Sequence, residues 1–113
     1  RPRVEAVIRG SFASANFRPE VIAAWLMFYL GAQTSAEASR LLGVYRRRLR
    51  SNLLAGLRPL TGPAAEEAAE SVAAMIDGLY IREGLSGAAP DPERAAGLVL
   101  AHLDDLLTRG PRP

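Results

Sequence analysis

The sequence predicts an all-α domain, and three observations carry that prediction. The chain holds 20 Ala and 16 Leu in 113 residues, and both residue types favour helix. Apolar residues recur at intervals of three and four, with no sustained alternation. Pro, Gly, Ser and Asp fall where helices should start and stop. The length fits one domain, residues 1–113, with no room for two ordinary ones. A chain of this size buries something over about 60% of its unfolded surface, enough for a core without staples. With 49% apolar and 23% charged residues, the composition is globular rather than disordered.

Five helical segments are predicted. The first spans about residues 2–12, with Val4, Val7, Ile8 and Phe12 at helical spacing; Gly10 and the stretch Ser14-Ala15-Asn16 end it. The second runs from Glu20 to about Ala32. Pro19 suits the first helical position, Glu20 suits the positive end, and Gly31 is a stop. It is apolar nearly all round, which predicts burial on most sides.

The third segment is the longest, about residues 35–57. Ser35 is its N-cap and Glu37 lies in its first turn. Leu42, Tyr45, Leu49, Leu53, Gly56 and Leu60 step by three and four along one face, and Pro59 is a stop signal. The fourth opens at Thr61-Gly62-Pro63, continues to about Leu85 and closes at Ser86-Gly87. Ala65, Ala69, Val72, Ile76, Leu79 and Glu83 form one stripe, while Met75, Ile81 and Leu85 fall off it. Apolar positions on two sides predict a helix held between its own core and a second surface. Gly78 costs about 1 kcal/mol against Ala in mid-helix; beside Ala73 and Ala74 it predicts a close helix–helix approach.

The fifth segment starts most clearly. Asp91 caps it, Pro92 takes the first helical position and Glu93 follows in the first turn. It runs to about Arg109, with Ala95, Leu98, Val99, His102, Leu103 and Leu106 as its apolar stripe. Gly110-Pro111-Arg112-Pro113 reads as a frayed tail.

All 14 basic residues are Arg, against 12 acids, and the net charge of +2 hides an asymmetry. Residues 1–60 carry ten Arg and three acids; residues 61–113 carry four Arg and nine acids. Such a split means either one face for an anionic partner or two halves that attract each other. The cluster Arg46-Arg47-Arg48 with Arg50 is the nucleic-acid candidate. Its four side chains spread around the helix, however, and Tyr45 on the apolar face gives no stacking platform. A solvated face, a match to the acidic half and nucleic-acid contact all remain open for it.

Enzyme chemistry finds little to hold. There is no Cys, and His102 is the only His. No metal-ligand cluster, phosphate loop or base–nucleophile pair is legible, so neither a cofactor nor an enzymatic activity is expected. The longest apolar run, residues 21–30, is half of the roughly 20 residues a membrane span needs. A soluble, cytoplasmic chain is expected, with no membrane partner.

The aromatics are more informative. Trp25, Phe28 and Tyr29 stand at i, i+3 and i+4, and Asp77 and Tyr80 are also three apart. Rings beside a carboxylate are what a quaternary ammonium ligand requires, with cation–π attraction of about 0.5–2 kcal/mol per ring. Taken alone, an aromatic triplet at helical spacing is better read as core packing.

The stretch Ala74-Met75-Ile76-Asp77-Gly78-Leu79-Tyr80-Ile81-Arg82-Glu83-Gly84-Leu85-Ser86-Gly87 resembles the C-terminal signature of BetI-type repressors. These are choline-responsive members of the TetR family of transcriptional regulators. Asp91-Pro92-Glu93-Arg94-Ala95 is similar to the helix start that follows in that family. Ala24-Trp25-Leu26-Met27-Phe28-Tyr29 and Arg47-Arg48-Leu49-Arg50-Ser51-Asn52-Leu53 resemble two earlier blocks. The likeness runs from about Val4 to Leu107. Tyr80 and Tyr29 stand where the family has Trp, so the rings persist with altered size and polarity.

The resemblance implies a five-helix regulatory domain whose last two long helices pair with those of a second copy in a four-helix bundle. It implies a homodimer with Ala69, Val72, Ala73, Ile76, Leu98, His102 and Leu106 at the interface. It implies a pocket between the first four helices for a small effector, choline or a related quaternary ammonium compound, with Trp25, Phe28, Tyr29, Asp77 and Tyr80 contributing. The helix-turn-helix reader of such regulators has no counterpart here, so DNA is expected as a partner only through an N-terminal domain outside this chain. A TetR-type pocket for an unrelated apolar effector, and a ligand-free helical interaction module, are the alternatives.

Overall fold

The computed structural model describes residues 1–13, 17–86 and 89–109. Their secondary structure is entirely helical: α1 (Pro2–Ser11), α2 (Pro19–Gly31), α3 (Ala36–Thr61), α4 (Ala65–Leu85) and α5 (Pro92–Thr108). The stops expected at residues 14–16 and at Gly87, and the tail 110–113, lie outside the described residues.

Local chemistry sets the helix starts. The Ser35 hydroxyl accepts from the Ala38 N–H at 3.2 Å, and the Asp91 carboxylate accepts from the Arg94 N–H at 3.1 Å. Each satisfies one of the free donors of a first turn. Prolines occupy the first position of α1, α2 and α5, where a missing N–H costs nothing.

Pro59 does not stop α3, which continues to Thr61. So close to the helix end the ring removes a single hydrogen bond. The turn still closes through the Gly62 N–H onto the Arg58 carbonyl and the Thr61 hydroxyl onto the Leu57 carbonyl. The reversal into α4 falls on Gly62, whose φ of +57° is open to a residue without Cβ. A 3-10 turn over Gly62–Ala64 then leads into α4.

α4 is the central helix, packed against α3, α2 and α5; α1 lies across α3 and α5. The core is drawn from all five helices: Val4 and Ile8, Ile22, Leu53 and Leu57, Ala69, Val72 and Ile76, and Val99 and Leu103 are fully buried. Each large apolar side chain among them contributes about 1.5–3 kcal/mol. Ion pairs join the basic half to the acidic half, among them Arg1–Asp104, Arg9–Glu93 and Arg50–Glu66, the last two at 4.0 Å. Their side chains are exposed, so each is worth only about 0–1 kcal/mol.

Two packing expectations are corrected. α2 is not covered on most sides; Ile22 alone is buried in it, and Met27 is 70% and Leu30 66% exposed. A helix apolar all round needs neighbours all round, and α2 meets only α3 and α4 closely. Gly78 makes no close approach within the chain, since a Cβ there meets nothing within 4 Å. The tight crossings are at Gly56, where a Cβ would lie 2.5 Å from Val4 Cγ2, and at Gly84, 2.6 Å from Leu26 Cδ1.

Candidate functional site

A cleft of about 390 Å³ opens between α1, α2, α3 and α4. That size is in the range of about 300–1,000 Å³ usual for small-molecule sites. One turn of α1 lays small groups along it, Ala6, Gly10 and Ser11. α2 contributes Trp25 and Tyr29, α3 contributes Tyr45, Arg48, Leu49 and Asn52, and α4 contributes Tyr80.

Of the five site residues the sequence predicts, three line this cleft: Trp25, Tyr29 and Tyr80. Trp25 is central to the ring cluster. Its centroid is 5.7 Å from Phe28, 5.9 Å from Tyr29 and 4.9 Å from Tyr45. Tyr80 is buried, stacked on Phe12 at 5.7 Å and edge-on to Phe17 at 5.1 Å, and its hydroxyl donates to the Ser11 carbonyl. It thereby ties α4 to the end of α1.

Phe28 does not line the cleft. It lies with Val21, Ala24 and Trp25 around a shallow apolar hollow on the adjoining face of α2. At 100° per residue Phe28 and Tyr29 flank Trp25 on opposite sides, 100° apart, so Trp25 lines both depressions and Phe28 only the hollow. Asp77 is not in the cleft wall either. It sits behind Tyr29, whose hydroxyl donates to its carboxylate at 3.3 Å.

Burial pushes the Asp77 carboxyl above its ordinary range, with Glu70 adding to the rise; the Tyr29 hydrogen bond and the Arg46 charge oppose it. The same burial, with the Asp77 charge, raises Tyr29 and Tyr80, and pushes Tyr45 up to about 12. The rings are therefore neutral at physiological pH and present electron-rich faces.

Tyr45, Arg48 and Asn52 are wall residues that the spacing did not single out as a site. Tyr45 does take part in a ring cluster, because Trp25 arrives from α2 to meet it. The arginine cluster splits. Arg48 faces the cleft, Arg50 pairs with Glu66, and the Arg47 guanidinium lies 3.4 Å from the place of a Cβ on Gly43. The only signal for the wall was the period itself: Tyr45, Arg48, Leu49 and Asn52 stand at i, i+3, i+4 and i+7.

The residues expected at a dimer interface also divide. Ala69, Val72 and Ile76 have no exposed surface and belong to the chain's own core, so they cannot touch a second copy. Ala73, His102 and Leu106 are half-buried and Leu98 is 39% exposed. His102 Nε2 lies 2.6 Å from the Ser71 hydroxyl, in a groove of about 300 Å³ between α4 and α5 that Leu106 also lines. Among the described residues, no helix is long and apolar enough to cross a membrane.

The family profile described as BetI-type transcriptional repressor, C-terminal, matches residues 1–108. The HTH-type transcriptional regulator BetI of Rhizobium meliloti (strain 1021) is 56% identical over 109 residues, covering 91% of this chain and 53% of that protein. The regulator of the same name from Agrobacterium fabrum is 49% identical over 105 residues, covering 92% and 51%. The chain thus spans about half the length of the curated relatives it matches. Among solved structures, a putative transcriptional regulator from Pseudomonas aeruginosa PAO1 superposes with a TM-score of 0.81 at 28% identity, over 96% of this chain and 55% of that one.

Proposed function

This chain belongs to the BetI-type family of transcriptional repressor C-terminal domains, and from that premise we propose that it is the effector-binding and dimerisation part of such a repressor. The effector is choline or a related quaternary ammonium compound. The observation that carries this reading is the cleft itself, walled by the Trp25, Tyr29 and Tyr45 rings from two helices and closed by Tyr80 from a third. Three neutral, electron-rich rings offer a methylated cation about 0.5–2 kcal/mol each. Asp77 supplies negative charge from behind Tyr29.

Binding there draws on all four helices of the cleft. An effector that prefers one arrangement of those helices shifts the pair of DNA readers of the whole dimer, with about 1–3 kcal/mol of coupling being usual. The dimer forms through the outward faces of α4 and α5, on Ala73, Leu98, His102 and Leu106.

Calorimetry tests the reading. Choline is expected to bind more tightly than 3,3-dimethylbutanol, its neutral isostere; equal affinity would remove the cation from the account. A second reading, an uncharged apolar effector, is favoured by the position of Asp77 outside the wall, and equal affinity is the outcome it expects.

A further inference from the structure

The arginine run of α3 is only partly matched by the rest of the chain. Arg50 meets Glu66, the Arg46 charge acts on Asp77, and Arg48 faces the cleft. Arg47 does none of these. At 100° per residue it falls about 20° from Arg40 and Arg58, so the three stand in one line along α3. The line is opposite Leu42, Leu49 and Leu53, which turn into the core. All three arginines are exposed, and none makes an ion pair among the described residues. The helix has a single acid, Glu37 in its first turn.

The line's geometry points to one kind of partner. Arg47 is about 10.5 Å along the axis from Arg40, and Arg58 about 16.5 Å further on. Val44, Ser51 and Ala55 stand between them on the same side. Charges so far apart do not converge on one small anion. A membrane surface takes up an apolar face beside its cations, but the exposed apolar residues of α3, Leu41 and Leu60, point about 100° and 160° away from the line. Single strands stack their bases on rings, and Tyr45 is turned inward to Trp25. A protein partner is anchored by large side chains in a desolvated centre, and the line holds none. A DNA duplex needs none of these. It is a rod with one charge per about 1.7 Å of axis, so a phosphate lies within reach wherever an arginine falls.

We propose that the outward face of α3 is a second contact with DNA, apart from the helix-turn-helix readers, in which Arg40, Arg47 and Arg58 hold duplex phosphates. Contacts of this kind position a protein on the duplex and carry no sequence information. The contact goes beyond the effector reading and does not depend on the cleft.

Fluorescence anisotropy of a labelled duplex titrated with the 113-residue chain tests it. Three phosphate contacts predict a slope of about −2.7 in log K against log salt, a fall of about fortyfold between about 50 and 200 mM. Two duplexes of unrelated sequence should bind within about twofold of each other. Arg47→Gln should reduce the magnitude of the slope by about 1, and the triple variant Arg40→Gln/Arg47→Gln/Arg58→Gln should lower affinity at about 50 mM salt by at least about tenfold. Arg82→Gln removes an exposed charge from α4 that makes no ion pair among the described residues, and should leave the slope as it is. All four side chains are exposed, so circular dichroism should show unchanged helix content. No binding at about 50 mM salt, where the electrostatic attraction is strong, overturns the proposal. So does an equal loss from Arg82→Gln and Arg47→Gln, which leaves net charge alone as the cause. Tighter binding to a single strand or to phosphatidylserine vesicles than to the duplex overturns it as well. Each of these outcomes leaves the effector reading of the cleft standing.

Discussion

The Tyr29 hydroxyl on α2 donates to the Asp77 carboxylate on α4 at 3.3 Å, joining two helices across 48 residues of sequence. The contact fixes which way Tyr29 faces, and so shapes the cleft. It also keeps a half-buried carboxylate close behind the cleft without making it part of the wall.

Burial raises the Asp77 pKa, so its charged form is less favourable in the folded state than in the unfolded chain. The cost is absent well below about pH 4, where the carboxyl is neutral in both states, grows as pH rises from there to the folded-state value, and is constant above it. Asp77→Asn keeps an acceptor for Tyr29 and removes the charge. The variant should be more stable than the wild type at pH 7, by a small margin since water screens the half-exposed group. The advantage should fade towards pH 4. Urea denaturation at pH 4, 5.5 and 7 measures it; a variant less stable at pH 7 would contradict the assigned cause.

Gly56 and Gly78 should respond oppositely to alanine. At Gly56 a Cβ would lie 2.5 Å from Val4 Cγ2 and 3.2 Å from the Val4 backbone nitrogen, so α1 must move off α3. Overpacking of this kind costs about 1–3 kcal/mol. At Gly78 a Cβ meets nothing within 4 Å, and alanine should gain up to about 1 kcal/mol in helix propensity. Thermal denaturation of the two variants checks both signs.

The α4–α5 face should carry the dimer. Leu98 is exposed on α5, and a charge at the centre of an apolar interface is costly to bury. Light scattering at tens of micromolar should find the wild type dimeric and Leu98→Glu monomeric with unchanged helix content. A wild type that is monomeric at that concentration would refute the assignment.

The helices were legible because their signals are local. Ser35 and Asp91 cap the helices their positions predict, and Gly62 turns the chain where Gly-Pro follows Thr61. What the sequence hid depends on neighbours distant along the chain. α4 carries apolar residues on two sides, and its pattern does not say which side meets its own core; Ala69, Val72 and Ile76 turned inward. Tyr45 looked isolated because its partner Trp25 lies twenty residues earlier, on another helix. Trp25, Tyr29 and Tyr80 were legible as cleft residues from their spacing and motif. The turn of Phe28 away from the cleft and the second-layer place of Asp77 were not, since each depends on where α2 settles against α3 and α4.

Trp25 is the only Trp in the chain and lines the cleft, so its emission reports directly on occupancy by a quaternary ammonium group. Titration with choline should give a saturable change in Trp25 fluorescence. Tyr45→Ala should weaken it by about tenfold or more, as expected for the loss of one cation–π ring and its packing. No saturable change at millimolar choline, or an equal response at equal affinity to 3,3-dimethylbutanol, would contradict the aromatic cation site at the centre of this account.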